Sequence, residues 1–282
     1  MRYILLFLLV IFVSAQSVLK KQYNVKTKIP NTFFFSSMTA IAEMIFFIVC
    51  SGFKINFISE LMPYSIGFGI AFSVMLIGGF LAIKWGPMSI TVLMGSYSLI
   101  IPTFYGIFVF GDKLKAAGIV GLVLLMISLF IIGVKKEKLN FSVKWFVSLM
   151  LSFTSNGICS ILLGAQQKAF DGLCKNEFMF FAMILSAIIL LVASFVNKEK
   201  IKENFKLCSF LGAGNGISNA IVNLLVMILV ADIPSAILYP CVSAGGIVIG
   251  FIMAITVYKE KLTNMQLVGY FLGVVSVVCL NL

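Results

Sequence analysis

The chain lacks the residues on which most enzymes and metalloproteins depend. It contains no histidine, and its six cysteines stand singly, without a CxxC pair. Metal sites need clustered ligands, and a thiol nucleophile needs a neighbouring base. No GxSxG, Walker A or GxGxxG motif is present either. The sequence therefore predicts no enzyme, no ATP-driven pump, no cofactor and no metal, and it favours cysteines that pack as small apolar residues.

Charge is also scarce. Only 11% of the 282 residues are charged and 61% are hydrophobic, whereas a soluble domain is about a quarter charged. This composition excludes an ordinary soluble protein. The net charge of +11 is typical of lysine-rich loops that orient membrane helices and meet anionic lipid head groups. Membrane lipid, rather than nucleic acid, is therefore the expected partner of this charge.

Charge-free runs predict the number of helices, because a helix needs about 20 apolar residues to cross about 30 Å of hydrocarbon. Ten runs occur, with Glu43 as the one charge inside them: 3–19, 29–53, 61–83, 85–111, 116–134, 145–167, 178–197, 207–231, 233–258 and 262–282. We predict an all-α integral membrane protein of ten transmembrane helices. The first run also resembles a secretory signal peptide, and cleavage after Ala15 would leave nine spans.

The second half of the chain repeats the pattern of the first. Pro87 and Pro234 lie 147 positions apart, and each precedes a span that leads into a short charged turn. In those turns Asp112 and Glu260 lie 148 apart. The same offset of 148 separates Leu114 from Leu262 and Gly121 from Gly269. The sequence therefore predicts two five-helix repeats, residues 1–138 and 139–282, in one membrane unit, and this repeat argues against removal of the first span.

An odd number of helices per repeat has a topological consequence. The second repeat must enter the membrane from the opposite face, so the two repeats are inverted. Inverted repeats are typical of alternating-access carriers, in which the solute site lies near the midplane. A ten-helix channel or scaffold is the alternative.

These features resemble the drug/metabolite transporter superfamily, and specifically its EamA-type permeases. The resemblance covers the whole chain and depends on the two five-helix halves, the acidic-x-Leu turn before the last helix of each half, and a Gly seven residues after that Leu. It implies a multi-pass transporter of the cytoplasmic membrane. The chain departs from the family pattern at Asp112, where the family usually has Glu.

Polar side chains within the spans are the candidates for solute contact, because they are costly at mid-membrane depth. Asn215, Asn219 and Asn223 lie at i, i+4 and i+8, so they share one face of the eighth span. The sequence repeat gives them the equivalents Phe68, Phe72 and Leu76. Further candidates lie near the prolines of the fourth and ninth spans and in the sixth: Tyr239, Ser243, Tyr97, Tyr105 and Asn156. Hydrogen bonding between helices and simple packing are the alternatives.

Three carboxylates have candidate roles. Glu43 is the only one in the middle of a span, where a low dielectric favours its protonated form, so it is a candidate for proton coupling. A protonated Glu43 that is hydrogen-bonded inside the bundle is the alternative. Asp112 and Glu260 precede the fifth and tenth helices, and are predicted to cap them or to act in gating at the membrane face.

The polar residues also restrict the solute. No Arg or Lys lies deep in a span to bind phosphate, which disfavours phosphorylated sugars. We expect a secondary transporter of a small neutral or zwitterionic metabolite, such as an amino acid, with export as the expected direction and a monomer as the default state. A multidrug or hydrophobic-cation exporter and a lipid-linked substrate flippase are the alternatives.

The positive charges and the family resemblance imply opposite orientations. Of the 21 Lys and Arg, 15 lie in loops that follow odd-numbered spans. The positive-inside rule places these loops in the cytoplasm and both termini outside. Relatives of the family keep both termini inside. The sequence count is slightly favoured, because its heaviest clusters, in residues 20–28, 135–144 and 198–206, all agree.

Overall fold

The fold is described from a computed structural model that covers residues 2–27, 30–85, 97–113, 115–133, 142–256 and 264–280. These ranges contain ten α-helices and no strand. The helices are α1 (Arg2–Lys26), α2 (Thr32–Cys50), α3 (Met62–Trp85), α4 (Ile100–Phe108), α5 (Ala116–Gly133), α6 (Val143–Ala169), α7 (Lys175–Val196), α8 (Ile201–Asp232), α9 (Ser235–Thr256) and α10 (Asn264–Leu280). Each predicted span overlaps one of these helices, and the predicted all-helical class is confirmed.

Six of the described helices contain stretches that are long and apolar enough to cross a membrane. The stretches lie in α1, α2, α3, α6, α7 and α8, and the one in α3 begins in a short 3-10 turn at Ser59. Shorter apolar stretches occur in α5, α9 and α10. The described part of α4 has nine residues, and much of the span predicted at 85–111 lies outside the residues that the structure describes. Length and composition therefore indicate a membrane-embedded protein.

The helices pack mainly against partners from the other half of the chain. The closest neighbours are α3 with α6, α5 with α10, α2 with α7 and α8, α1 with α8, and α3 with α7. Smaller contacts join α4 to α9, α1 to α9 and α4 to α6. The first helix belongs to this core, since Leu9 is fully buried in it and Val10 packs on Gly245 of α9.

One face of the bundle is held together at the helix ends near residues 20–27 and 197–206. We call it the lysine face. The Asn31 side-chain amide donates to the Lys200 carbonyl at 2.9 Å. The Phe33 N–H donates to the Glu199 carboxylate at 2.9 Å, and the Phe33 ring meets Phe80 near the end of α3. The end of α1, the start of α2, the end of α3 and the loop between α7 and α8 therefore share this face.

The opposite face contains the start of α1, and we call it the terminal face. Arg2 forms a 3.3 Å ion pair with Asp232 at the end of α8. The Ala236 N–H at the start of α9 donates to Asp112, which follows α4. Contacts at both faces therefore agree with helices that alternate in direction along the chain.

Close helix contacts depend on glycines that face a neighbouring backbone. Gly212 and Gly216 of α8 lie against α2, and Gly69 of α3 lies against α7. The Thr39 hydroxyl is 3.3 Å from the Gly212 carbonyl oxygen, and the Ser186 hydroxyl is 2.9 Å from that of Gly69. Small residues allow such approach between apolar helices.

We expect Gly216→Ala to destabilise the bundle. The added Cβ would press on the Thr39 carbonyl oxygen and lie 2.8 Å from the Ala42 Cβ, so α2 and α8 would have to separate. Such overpacking costs about 1–3 kcal/mol. Gly214→Ala is the matched control, because its Cβ would meet Leu19 at an ordinary 3.6 Å. Thermal unfolding in detergent should show a lower Tm for Gly216→Ala alone, and equal Tm values would contradict the close contact.

Candidate functional site

Glu43 lies in the middle of α2 and is completely buried. Its two carboxylate oxygens accept hydrogen bonds from two side-chain amides of α8. Asn219 donates to Oε2 and Asn223 to Oε1, both at 2.7 Å. Among the described residues, no ion pair involves Glu43. The carboxyl group is therefore held by neutral donors in the core of the bundle.

The spacing of the asparagines explains this arrangement. Residues four apart on a helix lie one above the other, so a second helix can match them with its own i, i+4 pair. Asn215, one turn before Asn219, donates to the Thr39 hydroxyl at 3.1 Å, and Thr39 is one turn before Glu43. The two helices thus form a polar ladder, which consists of Thr39 and Glu43 on α2 and the three asparagines on α8.

The helices that carry the polar ladder also contribute residues to the main apolar core of the bundle. Phe68 and Phe72 of α3 are buried and stack with ring centroids 5.9 Å apart. The same core cluster includes Ala40 and Phe47 of α2 and Met179 of α7. Because water is largely excluded from this core, hydrogen bonds to Glu43 gain strength from the low local dielectric.

The other predicted polar residues lie at separate contacts. Tyr239 of α9 is buried, and its hydroxyl donates to the Ser160 carbonyl of α6 at 2.6 Å. Asn156 of α6 donates to the Ser98 hydroxyl just before α4. The first bond joins two helices of the second half and the second bond joins the two halves, and both are contacts of the interhelical kind.

Ser243 lines a small apolar cavity between α4, α5 and α9. The cavity also contains Thr103 and Pro240, and the proline lies inside α9. Pro removes a backbone N–H from the helix, which frees a carbonyl group. In this cavity the hydroxyls of Thr103 and Ser243 therefore lie close to the irregular turn of α9 at Pro240.

The two remaining tyrosines are half-buried. Tyr97 lies three residues before the start of α4, and the ring of Tyr105 packs edge-on against Phe110 at 5.0 Å. No described contact joins either tyrosine to the polar ladder. Of the eight predicted substrate-binding residues, Asn219 and Asn223 touch Glu43, Asn215 extends the same ladder, and the other five lie elsewhere.

Asp112 caps a helix that sequence order does not suggest. Its Oδ2 accepts the Ala236 N–H at the start of α9 at 3.1 Å. Lys168 lies 4.0 Å from Oδ1 and 3.6 Å above the Phe110 ring. Sequence order suggests only the nearest helix start, whereas the tertiary structure also brings the start of α9 to this loop. The related positions Pro87, Leu114, Glu260 and Leu262 lie outside the described residues.

Two contributors were missed in the sequence. Thr39 could have been found, because a polar residue one turn before Glu43 matches the periodicity of the asparagines. Glu199 could not, because its carboxylate accepts the N–H groups of Phe33 and Phe34 across a sequence separation of about 165 residues. That contact caps α2 and so fixes the helix that carries Glu43.

Comparison with solved structures supports the helical fold. One solved crystal structure of a protein superposes with a TM-score of 0.78 over 99% of this chain and 95% of that chain, at 12% identity. At this identity the likeness concerns the fold alone. No protein-family model matches the chain, and no curated protein matches it significantly.

We expect strong coupling between Glu43 and Asn223. Asn223→Leu leaves the buried carboxyl with one donor, and an unsatisfied buried polar group costs about 1–3 kcal/mol. Glu43→Leu combined with Asn223→Leu removes both partners, so the double variant should recover much of the lost stability. Thermal unfolding of the wild type, both single variants and the double variant in detergent measures this cycle. Additive losses in Tm would contradict the coupling.

Proposed function

We propose that this protein is a secondary active transporter that moves a small neutral or zwitterionic metabolite across the cytoplasmic membrane by alternating access. The observation that carries the proposal is the buried Glu43, held by Asn219 and Asn223 between helices from the two halves of the chain. An ionisable group at this depth is costly and usually serves a solute or ion pathway. Export of an amino acid or a similar solute is the expected activity.

The helix contacts support an inverted repeat. If each helix of the first half corresponds to the helix five places later, the contact of α3 with α6 corresponds to that of α8 with α1. The contact of α2 with α8 likewise corresponds to that of α7 with α3, and α1 with α9 to α6 with α4. All of these contacts occur. The pairs α2 with α7, α4 with α9 and α5 with α10 correspond to themselves, as expected for pairs on a two-fold axis.

Matched hydrogen bonds also support the repeat. Thr39 contacts the Gly212 carbonyl, and Ser186, 147 positions after Thr39, contacts the Gly69 carbonyl. The two glycines lie 143 apart, in agreement with the shorter connection between α7 and α8. This register pairs the three asparagines of the polar ladder with Phe72, Leu76 and Phe80. It differs by one helical turn from the register that the sequence repeat predicts.

The two matched interfaces differ in chemistry, and this difference favours a function for the polar ladder. At an offset of 147, the counterpart of Glu43 is Leu190, which is fully buried. The interface between α3 and α7 therefore packs closely without a carboxylate or an amide ladder. Since the fold does not require these polar groups, their presence in one interface points to a bound solute or ion.

A hydrophobic-cation exporter is the second candidate. The observation that favours it is the aromatic and aliphatic core cluster that includes Phe47, one turn after Glu43, since such a cluster would suit a cation with an apolar body. A lipid-linked flippase or a channel remains as an outcome of the transport measurement below.

Transport by the purified chain in proteoliposomes tests the proposal. We expect saturable uptake and counterflow of at least one solute in a panel of labelled amino acids, sugars and cationic drugs. A flippase would instead require a lipid-linked substrate, and a channel would show no saturation. If no solute in the panel shows saturable, exchangeable flux, the carrier hypothesis fails.

Glu43→Gln should abolish flux driven by a pH gradient and leave solute exchange intact at saturating solute concentration, because Gln keeps the side-chain size and removes the ionisable group. Uptake with and without a pH gradient, measured alongside counterflow without a gradient, separates the two effects. Ser186→Ala is the control, since it alters a polar contact in the apolar interface. Unchanged proton dependence in Glu43→Gln would exclude proton coupling through Glu43.

The lysine face and the terminal face also bear on the orientation of the protein in the membrane. We propose that the lysine face is cytoplasmic, in accordance with the positive-inside rule. In a cysteine-free background, Lys200→Cys should then react with an impermeant thiol reagent only after the membrane is opened. Asp232→Cys on the terminal face should react in intact cells. The reverse labelling would support the orientation usual for EamA-type permeases.

A further inference from the structure

The polar ladder has an excess of hydrogen-bond acceptors. Each of its amide N–H groups that forms a described bond points to α2: Asn219 and Asn223 donate to Glu43, and Asn215 donates to Thr39. The Thr39 hydroxyl has one proton, which it directs to backbone carbonyls of Phe35 and Gly212. Thr39 therefore faces Asn215 as an acceptor, which fixes the orientation of that amide.

The amide oxygens are left without donors. The Asn215 side chain is 3% exposed, and its buried Oδ1 has no hydrogen-bond partner. No described residue donates to the Oδ1 atoms of Asn219 or Asn223 either. An unpaired buried acceptor costs free energy, so its persistence points to an absent donor.

The charge of the site favours a cationic donor. Glu43 brings the only carboxylate of the polar ladder, and no described ion pair neutralises it. A group that complements one carboxylate and several amide oxygens must carry positive charge and several N–H bonds. A primary ammonium has both properties, with three donors and no acceptor.

We propose that the polar ladder binds a primary ammonium group, the amino end of the transported solute, through the carboxylate of Glu43 and the amide oxygens of Asn215 and Asn219. This inference rests on the proposed function in that it assigns the solute class to the same site. Asn219 is only partly buried, so it is the asparagine of the ladder at which a solute would enter. The solute is therefore an amine or an amino acid with a free amino group.

The same chemistry disfavours other ligands. A quaternary ammonium has the charge but no N–H donor, so the amide oxygens would remain unsatisfied. A carboxylate or phosphate would face only acceptors and a like charge.

Binding to the full-length protein in detergent tests the proposal without a transport step. Labelled phenethylamine is the probe, and its N-trimethyl analogue and 2-phenylethanol are the comparisons. We expect saturable binding of phenethylamine that is at least about tenfold tighter than binding of either analogue. Glu43→Gln should weaken phenethylamine binding by roughly thirtyfold or more, because it removes the charged partner of a buried pair. Binding of 2-phenylethanol should not change.

Three further variants distinguish a loss of binding from misfolding. Glu43→Asp keeps the charge and should retain most of the amine affinity. Ser186→Ala, the counterpart of Thr39→Ala in the other interface, should leave affinity unchanged, whereas Thr39→Ala should weaken it. Absence of saturable phenethylamine binding, equal affinity for the trimethyl analogue, or equal affinity in Glu43→Gln would overturn the proposal. Saturable binding of radioactive Na⁺ to the same ladder would also overturn it.

The amine-binding measurement and the transport measurement test different proposals, so their failures can be distinguished. Saturable flux of a solute without an amino group, together with no amine binding, would leave the carrier function standing and refute the ammonium site. Amine binding that depends on Glu43, with no saturable flux of any solute, would support the site and refute the carrier function.

Discussion

A polar group in the interior of an apolar helix bundle must find its hydrogen-bond partners within the protein, because neither lipid nor bulk water supplies them. This constraint explains the contact of α2 with α8. The carboxyl of Glu43 can be buried because two amides of α8 reach it, and those amides are in register because Thr39 and Asn215 pair one turn earlier. Close approach at Gly212 and Gly216 makes these bonds short enough to form.

A similar contact between a hydroxyl and a glycine carbonyl occurs where α3 meets α7, but without a carboxylate or side-chain amides. There Ser186 contacts the Gly69 carbonyl, and the next turns are occupied by large apolar side chains such as Leu190 and Phe72. The interfaces of α2 with α8 and of α3 with α7 have similar helix contacts. Groups found in both interfaces are therefore explained by packing, whereas groups found in only one of them are not. Glycine and hydroxyl contacts occur in both interfaces, whereas the carboxylate and the three amides occur in only one of them.

Hydrogen bonds at two helix starts also connect the two halves of the chain. Carboxylates from loops cap helices of the opposite half: Glu199 accepts N–H groups at the start of α2, and Asp112 accepts one at the start of α9. Each cap satisfies backbone groups that a helix terminus leaves open. Each also ties one half of the chain to the other, at the lysine face and at the terminal face respectively. Rearrangement between the halves would have to break these contacts.

The sequence by itself determined the helical class, the approximate position of every described helix and the candidacy of Glu43 and the asparagines, because these depend on local hydrophobicity and on the 3.6-residue period. Only the tertiary structure decided that Asn219 and Asn223 meet Glu43, that Tyr239 and Asn156 bond elsewhere, and that Asp112 caps α9. These pairings join residues that are about 60 to 180 positions apart in the chain. Periodicity shows which residues share a helix face, but it does not show which helix that face meets.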